Sequence, residues 1–159
     1  MPFREQQSDL WSGIKTGNAV CITTNGDITK DGRAVMGRGT ALQARERFPG
    51  VDAMFGEQLK QYGNHCHAVG LGELRGPGKQ FHDWYLVAFP TKHHWRDRTS
   101  NLDLIARSAE ELVFLTDLHY LKEVYLPRPG TLNGKLDWLQ VVTSGALDCL
   151  DERFIVVYQ

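Results

Sequence analysis

Cysteine is scarce in this chain: Cys21, Cys66 and Cys149 stand far apart and are odd in number. No CxxC pair exists, so neither a disulfide framework nor a zinc site is indicated. No apolar run approaches the ~18 residues of a membrane span. The start, MPFREQQSDLW, lacks the basic-then-apolar layout of a secretory signal. An excess of either charge is missing too. The formal net charge of −1 argues against bulk attraction to nucleic acid or membrane, but leaves room for a local basic patch. There is no internal repeat, low-complexity tract or linker. The expectation is a reduced, cytoplasmic, soluble chain forming one domain over 1–159. It would act as a monomer with no membrane partner, and it is long enough to bury a core without staples.

What is present reads as alternating strands and helices. NAVCITTN (Asn18–Asn25) is a short β-branched run closing in turn residues, hence a buried strand. TALQARERF carries helix formers up to Pro49. VDAMFGEQLKQYG follows as a second helix, with Val51, Met54, Phe55 and Leu59 on one face. HAVGLGEL and FHDWYLVAFPT flank RGPGK, a Gly/Pro turn that predicts a hairpin. Leu102, Ile105, Ala109, Leu112 and Leu115 repeat at helical spacing behind Ser100 or Asn101 as N-cap. EVYLP predicts a strand, LDWLQVVTSGALDCL a helix, and RFIVVYQ a last strand. Strands apolar throughout, between helices, predict a layered α/β fold with a covered sheet.

In such sheets ligands sit beyond the carboxyl ends of the strands. Three loops qualify: Asn25–Gly39, Thr91–Ser100 and Pro127–Lys135, all rich in glycine, polar or basic residues. Two phosphate motifs fail. GTLNGK is one residue short of a P-loop, with Leu136 where the Mg²⁺-binding hydroxyl belongs. GRGTAL lacks the third glycine of the dinucleotide fingerprint. FPTKHHWRDR (Phe89–Arg98) is the chemical oddity, with a lysine directly after a buried strand, then histidines, a tryptophan and arginines. That pattern fits a solvated basic loop. It equally fits a reactive Lys92 at a pocket mouth, with Trp95, Arg96 and Arg98 stacking on and pairing with a nucleic acid strand. His65 and His67 would share a face on a strand, but no third ligand is spaced to make a metal site. No G-x-S-x-G exists, and Cys21 reads as core.

Together these residues resemble the macrodomains, which bind ADP-ribose, and most closely the branch of antitoxin macrodomains that act on modified DNA. SDLW (Ser8–Trp11) is similar to the family's G-D-[IL]-[FL] start. TTNG…VMGRGTALQ is similar to its first phosphate loop, with an insertion around DITKDG. FPTKHHWR resembles the lysine loop of the DNA-acting members. LPRPGTLNGKLDW resembles the second phosphate loop. The likeness runs in order along nearly the whole chain.

The resemblance implies a three-layer α/β fold with a mixed central sheet flanked by helices. Asp9, as a buried carboxylate, would accept a hydrogen bond from the adenine amino group, with Leu10 beside it. Asn25, Met36, Gly37, Arg38 and Gly39 would lie along the distal ribose and pyrophosphate. Gly130, Thr131, Leu132, Asn133 and Gly134 would wrap the diphosphate from the other side, with Thr91 next to Lys92 and Tyr158 against adenine. Lys92 would be catalytic, and His94, Trp95, Arg96 and Arg98 would meet the macromolecule. Protein-deacylating relatives place an aspartate in the second loop, where this chain has Gly134, so Lys92 remains the main chemical group. The implied reaction is hydrolysis of an ADP-ribosyl linkage without metal or cofactor. ADP-ribosylated DNA is the expected substrate and ADP-ribosylated protein the second candidate. The alternatives are a phosphatase of ADP-ribose 1″-phosphate, a deacetylase of O-acetyl-ADP-ribose, or a non-catalytic ADP-ribose reader.

Overall fold

A computed structural model describes residues 2–159. The elements are β1 (Arg4–Gln7), β2 (Ala19–Thr24), α1 (Gly39–Arg47), α2 (Val51–Tyr62), β3 (His67–Arg75) and β4 (Phe81–Pro90). They continue with α3 (Leu102–Leu118), β5 (Val124–Pro127), α4 (Trp138–Thr143) and β6 (Phe154–Tyr158). Six strands form one sheet in the order β1-β6-β5-β2-β4-β3. Every pairing is parallel except the β3–β4 hairpin, so the sheet is mixed.

The period of two along each strand builds two cores. Val20, Ile22, Leu86, Ala88, Ile155 and Val157 face one side, where Phe55 and Leu59 of α2 and Ala41 and Ala44 of α1 cover them. Ala19, Cys21, Val87, Phe89, Phe154 and Val156 face the other, under Ile105, Ala109 and Leu112 of α3 and Val141 of α4. A strand covered on both faces must be apolar at every position, which is why these runs show no polar alternation. Burial pushes the Cys21 thiol far up, as for an inert core residue.

Two expectations about the elements need correcting, and the structure adds strand β1 and decides the α3 cap. Met54 is 46% exposed and does not share the buried stripe of Val51, Phe55 and Leu59. The last helix ends at Thr143, and residues 144–149 continue as turns around Gly145 at φ +82. β1 pairs with β6 although its sequence, REQQ, is wholly polar and exposed. Asn101, not Ser100, caps α3, accepting from Leu104 N–H at 2.9 Å.

Candidate active site

The parallel strands β2, β4, β5 and β6 all end at one edge of the sheet. There, Thr23, Thr24, Thr91, Pro127, Val157 and Tyr158 floor a cavity of about 990 Å³, large enough for a dinucleotide-sized ligand. The three candidate loops form its walls.

In the first loop, Asn25 lines the cavity, yet its amide is engaged within the loop. Oδ1 accepts from Asp27 N–H at 2.9 Å, and Nδ2 donates to the Val35 carbonyl at 3.1 Å. Met36 is buried behind Gly37, Arg38 and Gly39, which lead into α1. Gly39 takes φ +58, where a side chain is strained, so this glycine serves the helix start. Gly37 differs: a Cβ built there meets no protein atom within 4 Å. The unpaired N–H groups and positive dipole of α1 thus open onto the cavity, as in an anion site.

Lys92 follows β4 and lines the same cavity. Its Nζ donates to the Asn133 carbonyl of the second loop at 3.3 Å. Burial holds its pKa below the ordinary lysine value. Asp97 opposes that shift, while the like charges of Arg38 and Lys135 reinforce it. The Asn133 Nδ2 lies 3.1 Å from where a Gly39 Cβ would stand, so Asn133 is the meeting point of all three loops. Gly130 at φ +84 and Leu132 at φ +56 shape the second loop, with Thr131 and Gly134 also facing the cavity. A Cβ at Gly134 would collide with Ser100 Oγ, which is why no larger residue stands there. Thr91 is buried and fixed through its backbone, donating to Thr24 O at 3.0 Å and accepting from Asn101 N–H at 2.9 Å.

At the opposite end lie Asp9, Leu10 and Tyr158. Asp9 is exposed rather than buried, and its Oδ1 caps the turn Leu10–Gly13 by accepting from Trp11 N–H at 3.3 Å. One face of the Tyr158 ring is taken by the Arg128 guanidinium, 4.2 Å from the centroid. Trp95 is on the cavity rim, whereas His94, Arg96 and Arg98 are exposed and outside the lining. His65 precedes β3 and pairs with Glu111 at 2.6 Å. His67 begins β3 and bonds the Gly63 carbonyl at 2.9 Å, so the two histidines do not form a strand-face pair. Among the described residues, no group of three His, Cys, Asp or Glu is placed to hold a metal.

Sequence reasoning missed Arg128, which links Glu5 (3.4 Å), Trp138 and Tyr158 across β1, α4 and β6. Its only signal was a cation directly after a buried strand. Asp27 was missed as well. Its carboxylate accepts from Trp95 N–H at 2.7 Å and contacts His94 Nδ1 at 3.1 Å, tying the inserted segment to the lysine loop.

No protein-family model matches the chain. A DNA ADP-ribosyl glycohydrolase of Thermus aquaticus is 31% identical over 133 residues, 79% of this chain and 34% of that protein. The chain therefore spans about a third of the length of the curated relatives it matches. The macrodomain of Mycobacterium tuberculosis DarG superposes with a TM-score of 0.73 at 28% identity, covering 98% of this chain and 96% of that one. Thermosipho africanus DarTG, solved in complex with ADP-ribose, gives 0.73 at 20% identity, covering 98% of this chain and 41% of that one, a likeness of fold. The chain is a macrodomain, similar to those of DarG.

Proposed function

We propose that this macrodomain binds ADP-ribose and hydrolyses its linkage to DNA, as an antitoxin-like, monomeric, cytoplasmic enzyme. The observation that carries the reading is the Lys92 amine, partly desolvated and held on the Asn133 carbonyl where the two glycine loops meet. In this reading Asp9, Leu10 and Tyr158 hold the adenosine end. The N-terminus of α1, with Gly37, Arg38 and Gly39, and the backbone of Gly130, Thr131, Asn133 and Gly134 clamp the diphosphate. That clamp leaves the distal ribose C1″ beside Lys92, a positioning effect that lowers the barrier by restricting approach. The neutral amine attacks C1″, the bond from C1″ to the DNA breaks, and the base departs with the proton the amine loses. Water then hydrolyses the lysine adduct, releasing ADP-ribose and the free amine. Neither step requires a metal. The exposed His94, Trp95, Arg96 and Arg98 face the macromolecule.

The decisive experiment incubates the protein with ADP-ribosylated DNA and ADP-ribosylated protein side by side and measures released ADP-ribose. Release from DNA, abolished in Lys92→Ala, is expected. Tight ADP-ribose binding with no release from either substrate would make the chain a reader instead.

A further inference from the structure

Two large apolar side chains that line this cavity stand uncovered to solvent. Trp95, 50% exposed, lies three residues beyond Lys92, and Leu132, 90% exposed, is adjacent to Asn133, whose carbonyl holds the Lys92 amine. Exposed apolar residues are ordinary when scattered. Here they stand on two different loops beside one reactive group, and both line the cavity. Leu132 also sits at φ +56, a conformation unfavourable for a leucine. Trp95 is braced: Asp27 Oδ2 accepts its backbone N–H at 2.7 Å, and Asp27 Oδ1 contacts the preceding histidine ring at 3.1 Å. The Arg96 guanidinium lies over the indole at 5.6 Å. Arg38 and Lys135 add positive charge close enough to disfavour the protonated Lys92.

An aromatic plate with a neighbouring guanidinium, together with an aliphatic side chain on another loop of the same cavity, suits a flat heteroaromatic ring attached to a polyanion. We infer that Trp95 and Leu132 grip the nucleobase that bears the ADP-ribosyl group, and that Asp27 is the positioning residue that holds the Trp95 side of this grip. The inference rests on the DNA reading above and extends it. Phosphate contacts alone would place a strand across the mouth without fixing which atom faces Lys92. Clasping the base on two sides brings the C1″–base bond to the amine in one orientation, so the loss should appear mainly in kcat/KM for the DNA substrate.

The test uses an ADP-ribosylated oligonucleotide as substrate and free ADP-ribose as a binding control. Trp95→Ala and Leu132→Ala should each lower kcat/KM tenfold or more, a loss well beyond any weakening of ADP-ribose binding in the same variants. Trp95→Phe should retain most of the activity. Asp27→Ala should reproduce the Trp95→Ala loss, while Asp27→Asn, which still offers an acceptor to Trp95 N–H, should recover most of it. Parent-like kcat/KM in both Trp95→Ala and Leu132→Ala would overturn the grip and leave the DNA reading standing. A parent protein that releases nothing from the oligonucleotide would overturn the DNA reading, and the grip with it. An Asp27→Asn variant no better than Asp27→Ala would remove the positioning role.

Discussion

At the scale of single residues, the chemistry depends on the charge state of one amine. Lys92 has a lowered pKa through burial, helped by Arg38 and Lys135 and opposed by Asp97. A lowered lysine pKa means that the neutral, nucleophilic form is populated at lower pH. The kcat of ADP-ribose release should therefore rise with pH and level off at a midpoint below the ordinary 10.5. Lys135 does not line the cavity, so Lys135→Gln should leave ADP-ribose affinity intact. By removing a like charge it should move that midpoint upward, and a pH–rate profile shifted down or unshifted would contradict the role. Lys92→Ala should lose about a hundredfold or more in turnover, as removal of a positioned catalytic group does. Lys92→Arg, cationic at every accessible pH, should not restore it.

At the scale of elements, the glycines separate into three kinds. Gly39 is held at φ +58, so Gly39→Ala should cost stability, about 1–2 kcal/mol for a left-handed residue. Gly37→Val meets open space and should leave the melting temperature nearly unchanged while weakening ADP-ribose at least tenfold in calorimetry. Unchanged affinity would remove the diphosphate from that wall. Gly134 is the third case, since its missing side chain makes room for Ser100. Gly134→Asp should lower the melting temperature, and Ser100→Gly should recover part of the loss in the double variant, a coupling expected only between residues in contact. These glycines were visible in the sequence as loop signals, but not their division of labour, which depends on φ and on what lies within reach of each Cβ. The apolar strands and the long α3 were legible for a similar reason: burial on both faces leaves a local mark. Polar β1 was not, because its pairing with β6 comes from the far end of the chain. The overlong last helix was misread because Leu147 and Leu150 keep a helical spacing while packing from turns. Arg128 meets Glu5 from 123 residues away, and Asp27 meets His94 from 67 residues away, and no local pattern records that.

At the scale of the whole molecule, charge is distributed rather than abundant. The chain carries a net −1, so a polyanion gains little from its overall field. Around the cavity mouth, however, Arg38, Lys92, Lys135, Arg96 and Arg98 come from all three loops, brought together because parallel strands deliver their carboxyl ends to one edge. Attraction of DNA must then come from these few cations, and counterion release should report their number. For a single strand, log K falls with log salt by about 0.7 per phosphate neutralised. Replacing Arg96 and Arg98 together by Gln should weaken kcat/KM on ADP-ribosylated DNA at low salt and make its salt slope shallower by about 1.4. The same variant should bind free ADP-ribose like the parent, since neither arginine lines the cavity. If the slope stays the same, the strand crosses another face of the molecule. If release from ADP-ribosylated protein falls equally, these arginines serve the cavity itself rather than a strand of DNA.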